Sequence, residues 1–178
     1  LMHTGRAQSP GAEFPHLGSV AARFLARGDE PLPGYIHITP GGGGVGGKEA
    51  AYLGPKYGAL YLGNGRAPDN TARAGSKTAE ADAARHDLRR HMNDRFARRR
   101  RTAETEAYTT TYEQALQLME RRDVFDVSKE PARDQERYGS HDFGRHCLLA
   151  RRLLEADATF VQVSHSNYDT HNENFAFH

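Results

Sequence analysis

Residues 159–174, TFVQVSHSNYDTHNEN, change character halfway: Thr159, Phe160, Val161 and Val163 suit a pleated, largely buried strand, and beyond them come histidine, asparagine and acid. A helical pattern precedes the stretch, so it reads as the second half of a helix-to-strand unit and assigns the chain to the α/β class. In open α/β sheets ligands collect beyond the carboxyl ends of strands. His165, Asn167, Asp169 and His171 fall there. Asp169 and His171 stand two apart, and in extended chain that spacing puts both side chains on one side, where a carboxylate and an imidazole converge on one cation. Turn-forming Asp and Asn with solvated histidines fit the same letters. A zinc-type site needs three or four ligands, and His165, Glu173 and His178 are the local candidates for the remainder.

Working outward, Phe143, Cys147, Ala150 and Leu154 recur at helical spacing and predict a helix over 143–156. Cys147 lies in that stripe, which makes it a buried, inert thiol. Before it, Ala84, Leu88, Met92 and Phe96 mark a helix over 79–98 with one narrow apolar stripe. Tyr108, Tyr112, Ala115, Leu116 and Met119 mark another over 104–121 and read as its core face. Residues 132–140 read as a charged loop. Arginines 85, 89, 90 and 95 and the run at 98–101 stand against Asp87 and Asp94. With no interleaved aromatics and no zinc-finger spacing, they read as a helix end whose dipole favours cations, so no nucleic-acid partner is expected.

In the first half, Leu17, Val20, Ala21, Phe24 and Leu25 predict a short helix over 19–26 with its apolar stripe in the core, Ser19 near its start and Gly28 at its end. Tyr35-Ile36-His37-Ile38-Thr39 is a strand. His37 reads as structural or solvated, and changes at His37 or His86 are expected to be nearly silent. Gly42, Gly47 and Lys48 satisfy the start of a phosphate loop, but Glu49 stands where a hydroxyl should meet magnesium and Gly54-Pro55 stops the required helix. Residues 51–62, AYLGPKYGALYL, read as an aromatic-rich loop packed onto a surface.

The whole has 178 residues, 37% of them hydrophobic, with 18 Gly and no Trp. That is the length of one domain and a lean core for it. The chain therefore reads as an internal fragment, residues 1–178 of a single domain, with apolar helix surface left uncovered. A formal charge of +1 implies no particular partner. One cysteine excludes an internal disulfide, and no apolar run approaches a membrane span.

The order of phrases is itself informative. LMHTGR, FPHLGS, LPGYIHI, AAYLGPKYGAL, YEQALQLM, VFDVSKEP, RYGSHDFGRHCLLARRLLEADATFVQV and YDTHNENF closely resemble the bacterial domain-of-unknown-function 1501 family over nearly the whole chain. That family resembles a branch of the alkaline phosphatase and sulfatase superfamily. The resemblance implies part of an alkaline-phosphatase-like three-layer sandwich with a central, mostly parallel sheet, incomplete at both ends.

It also implies chemistry. The family phrase usually written WDTH matches Tyr168-Asp169-Thr170-His171, with Tyr in place of Trp, and makes Asp169 and His171 ligands of a divalent metal ion, zinc or calcium. His165 becomes a hydrogen-bond donor behind those ligands. Thr4-Gly5-Arg6 resembles the TGR phrase after the sulfatase nucleophile segment, so the catalytic nucleophile is expected upstream of Leu1 and further ligands after His178. The implied function is a metal-dependent hydrolase of phosphate or sulfate esters, acting on a small-molecule or glycan ester, exported through a twin-arginine-type leader, with this fragment inactive alone. The alternative is an exported, surface-associated binding protein that keeps the sulfatase-like fold without catalysis.

Overall fold

The computed structural model describes residues 3–7, 10–45, 48–68, 73, 75–98 and 103–165. Four strands, β1 (Tyr35–Thr39), β2 (Gly44–Val45), β3 (Leu60–Gly63) and β4 (Phe160–Val163), form one sheet in the order β2-β3-β1-β4. β1 runs parallel to both β3 and β4, and β2 is an antiparallel edge on β3. Among the described residues five α-helices accompany them: α1 (Leu17–Phe24), α2 (Ala79–Ala97), α3 (Ala103–Glu120), α4 (Ala132–Tyr138) and α5 (Asp142–Glu155). The class is α/β with a small three-stranded parallel sheet, as the helix-to-strand unit predicts.

Strand alternation divides the sheet into two unlike faces. Ile36 aligns with Leu60 and Val161, and Ile38 with Leu62 and Val163. These side chains meet Leu118 of α3, Leu149 and Leu153 of α5, and Val124 and Phe125 in the principal core. The opposite register, Tyr35 with Phe160 and His37 with Tyr61 and Gln162, faces α1 and a 3₁₀ segment at Lys48–Leu53. Here the apolar content is small, Ala22, Tyr35 and Ala59 with Tyr57, Tyr61 and Phe160, and polar groups share the layer.

The helices start and stop for local reasons. Thr78 caps α2 by accepting from the Ala81 amide at 3.2 Å, with Glu80 and Asp82 in the first turn against the positive end of the dipole. His141 Nδ1 caps α5 by accepting from the Gly144 amide at 3.0 Å. At the other end of α5, Asp157 takes φ 70° and the Ala158 amide reaches back to the Leu153 carbonyl at 2.9 Å, which turns the chain into β4.

Three expectations about buried faces are corrected. On α1 the large residues Leu17, Phe24 and Leu25 are exposed, while Gly18, Ser19, Ala21 and Ala22 are buried, because only a small-residue face fits against the Tyr35 ring. Ser19 lies inside this helix, its hydroxyl donating to the Glu49 carbonyl at 3.1 Å, and His16 occupies the N-cap position. On α2 the stripe of Leu88, Met92 and Phe96 faces solvent, and the buried face is polar. Asp82 and His86 are buried, Arg89 and Arg90 pair with Glu113 of α3, and the Arg89 guanidinium lies 4.2 Å from the Tyr112 ring centroid. On α3 the buried residue among those described is Leu118, one position before Met119 of the predicted stripe, and Ala115 of that stripe is exposed.

Two segments that read as loops are regular elements. β3 has only Leu60, Tyr61 and Leu62 ahead of Gly63, too short a pattern to read, and becomes a strand because β1 supplies its hydrogen bonds. α4 has no apolar stripe and is held through Asp134 to Arg151 at 3.1 Å.

Candidate functional site

The chain leaves β1 for β3 on one side and returns from β3 to β4 on the other. The first crossover carries the segment at Lys48–Leu53 on the α1 face, and the second carries α3 and α5 on the opposite face. Between β1 and β4 the strand order therefore reverses. In open α/β sheets such a switch point leaves a crevice beyond the carboxyl ends of the two strands. After β1 the chain folds away from it: the Gly43 amide and the Gly41 carbonyl pack onto Gly63 at the end of β3, so closely that a Cβ on Gly63 would stand 2.3 Å from the Gly41 oxygen.

Across the β1/β4 boundary, on the α1 face, Ser164 Oγ and His37 Nε2 are 2.7 Å apart. The His37 ring is half-buried between Tyr35, with ring centroids 6.3 Å apart, and Tyr61, 5.1 Å apart. Its Nδ1 is buried and has no hydrogen-bond partner among the described residues. Behind Tyr61, whose hydroxyl donates to Glu49 Oε1 at 2.7 Å, the other carboxylate oxygen of Glu49 is likewise buried and unpartnered among them. Tyr35 donates to Gln162 Oε1 at 2.8 Å, and the Gln162 amide lies 3.4 Å from His3 Nδ1. His3 stacks on His16 with centroids 5.3 Å apart.

His3, His16, Glu49, Arg6 and Lys48 line an open cleft of about 780 Å³ continuous with this polar layer. Burial, then His3, then His16 hold the His37 imidazole below its ordinary proton affinity against the opposing pull of Glu49. His16 is lowered by burial and His3 in the same way. Burial and Glu49 push the Tyr35 phenol up to about 12, and burial with the bond to Glu49 raises Tyr61 further. These shifts favour neutral imidazoles at His16 and His37 and neutral phenols at Tyr35 and Tyr61 near neutral pH.

Of the residues named from sequence, His165 follows Ser164 at the exit of β4, exposed, with its ring edge-on to Phe143 at 4.8 Å. Asp169, His171, Glu173 and His178 lie outside the described residues. Among the described residues no group of three or more His, Cys, Asp or Glu side chains is arranged to hold a metal ion. His37, structural or solvated by its sequence context, instead joins β1 to β4 at the centre of the polar layer. Cys147 is partly buried and its thiol is raised by that burial, in line with an inert role.

The family described as "Protein of unknown function (DUF1501)" matches residues 1–178. The chain belongs to the DUF1501 family. No curated protein and no solved structure matches it. In this DUF1501 chain no helix among the described residues is long and apolar enough to cross a membrane.

Proposed function

We propose that this DUF1501 chain contributes the substrate crevice of a metal-dependent hydrolase of phosphate or sulfate esters. The observation that supports the reading is the reversal of strand order between β1 and β4, which puts the end of β4 at the carboxyl edge of the sheet, ahead in sequence of Asp169 and His171. In this reading Asp169 supplies charge neutralisation and His171 a directional nitrogen ligand, and His165 orients a ligand from outside the first coordination sphere. A divalent cation held there, zinc or calcium, supplies polarisation of the ester oxygen. Arg6 and Lys48, on the cleft beside Glu49, give an anionic ester a cationic approach.

The test is metal content by elemental analysis together with hydrolysis of generic phosphate and sulfate esters, measured on the intact protein and its Asp169→Ala and His171→Ala variants. Each variant is expected to lose most of the metal and most of the activity, because a catalytic site with about three protein ligands cannot spare one. Equal metal content in wild type and both variants rejects the ligand assignment. Metal retained with no ester hydrolysis favours the surface-associated binding protein.

A further inference from the structure

The contact between Ser164 and His37 is left unused by that reading. We infer that Ser164 is a nucleophile toward phosphoryl esters, with His37 as its base and Glu49 as the positioning residue that sets the tautomer of the base. The inference rests on the function proposed above for its crevice and ester class, in which a bound metal would polarise the ester; activation of Ser164 by His37 does not itself draw on that metal.

The geometry is that of an activated hydroxyl. Oγ and Nε2 are at 2.7 Å, with His37 on β1 and Ser164 the first residue after β4, its amide donating to the Ile38 carbonyl at 2.9 Å. For Nε2 to accept the serine proton, the ring hydrogen must sit on Nδ1, and a buried N–H requires an acceptor. The described residues contain one of the right polarity: Glu49 Oε2 is buried, unpartnered and acts electrostatically on His37, while its sister oxygen is held by the Tyr61 hydroxyl. The role given to Glu49 requires a water that joins Nδ1–H to Oε2, in the order Ser164, His37, water, Glu49, Tyr61.

Two further observations suit the role. Ser164 is half-buried at the end of β4, and the loop after β1 packs on Gly63 of β3. His37 faces His3 and His16 from the α1 side, Tyr61 from β3 and Glu49 from the 3₁₀ segment, and burial dominates the balance, so the imidazole is unprotonated at neutral pH and able to take a proton.

In the reaction the Oγ–phosphorus bond forms as the hydroxyl proton passes to His37 Nε2. The bond from phosphorus to the leaving oxygen breaks with its electron pair, and that oxygen collects the proton from His37. A water, giving its proton to His37, then attacks phosphorus, and the Ser164 oxygen leaves and regains a proton.

A fluorophosphonate, which loses fluoride to an activated serine, tests this on the intact protein in the presence of EDTA, with the adduct located by peptide mass spectrometry. Expected are one adduct, on Ser164, none in Ser164→Ala, and labelling slowed at least about 100-fold in His37→Gln. Thermal melts of both variants report whether they fold. Glu49→Gln, which removes the charge but keeps the shape, is expected to slow labelling and to move its pH profile to lower pH, because the carboxylate raises the proton affinity of His37; a merely structural Glu49 would leave the profile in place. Absence of a Ser164 adduct in folded protein, equal rates in wild type and folded His37→Gln, or labelling that EDTA abolishes each overturns the inference. Loss of metal in the Asp169 and His171 variants with Ser164 labelling intact upholds both readings separately.

Discussion

Replacing Gly18 by alanine sets two effects of opposite sign against each other at the packing of α1 on the sheet. Removing glycine from a helix is worth up to about 1 kcal/mol, and less here because Gly18 is only the second residue of α1. Against this, the new Cβ would stand 2.5 Å from Tyr35 Cε2 and 2.6 Å from Cδ2 and Cζ. Ordinary carbon contacts lie near 3.5–4.0 Å, so either the ring or the helix must move by roughly 1 Å. The ring cannot move freely: Tyr35 is 1% exposed, its hydroxyl is held by Gln162, and Phe160 meets it edge-on at 5.6 Å. Overpacking of this kind costs about 1–3 kcal/mol and exceeds the propensity gain, which leaves a net loss of about 1–2 kcal/mol. For a chain of this size that lowers the melting temperature by roughly 3–6 °C. Urea unfolding should show a lower midpoint at unchanged slope. In a Tyr35→Ala background, where the clash has no partner, the same Gly18→Ala change should be neutral or stabilising. Gly18→Ala as stable as wild type, with Tyr35 intact, would refute the close approach.

The remaining predictions concern charge. The folded chain holds His16 and His37 below their ordinary proton affinity of 6.5, so below that pH the unfolded chain binds protons that the folded one resists. Their contribution to stability is complete above pH 6.5 and declines as pH falls below it, a window above that of the lowered carboxyls Glu30, Glu80, Glu113 and Asp126. The urea midpoint should fall between about pH 7 and 5.5 and fall less in a His16→Gln, His37→Gln double variant; a flat midpoint in wild type would contradict it. Glu130, with its side chain 9% exposed, takes both Arg151 and Arg152, and Arg152 also donates to the Val124 carbonyl at 3.0 Å. Glu130→Gln leaves two partly buried cations short of a partner and should cost about 2–3 kcal/mol, below the range for fully buried pairs because both arginines keep some water. A loss under about 0.5 kcal/mol in thermal or urea melts would show the network to be superficial.

How much of the fold is legible in the sequence depends on how local each signal is. β1 and the four longer helices begin and end within about two residues of the positions read from periodicity, since caps and repeats of 3.6 and 2 are local. Which face a helix buries is not local. The α2 stripe at Leu88, Met92 and Phe96 reads as core by pattern, but α3 meets α2 through Glu113, Tyr112 and Thr109, and those partners select Arg89, Arg90 and Asn93 instead. On α1 the choice falls to the smallest residues because Tyr35 fills the space a large side chain would need. β3 is unreadable for a related reason, since its three alternating residues gain meaning only from the register with Ile36, His37 and Ile38.

The polar layer is illegible in the sequence because its members meet only through topology. His37 and Ser164 are 127 positions apart and become neighbours because the chain goes outward from β1 to β3 and then returns past β1 to pair β4 on its far side. Had β4 added next to β3, the two residues would lie at opposite sides of a strand and the hydroxyl would have no base. Glu49 shows the same dependence on context. Read along the chain it spoils a phosphate loop, because an acid repels phosphate where a hydroxyl should bind magnesium. Folded, the 3₁₀ turn at Lys48–Leu53 aims that acid back over the sheet, where Tyr61 takes one oxygen and the second is buried and, like His37 Nδ1, without a hydrogen-bond partner among the described residues. A buried carboxylate oxygen left unpaired among the described residues, a histidine kept neutral by burial and a serine at 2.7 Å are each a cost to stability or a neutral detail when taken singly. Together, where the strand order of the sheet reverses, they are the arrangement from which a proton can be removed and returned.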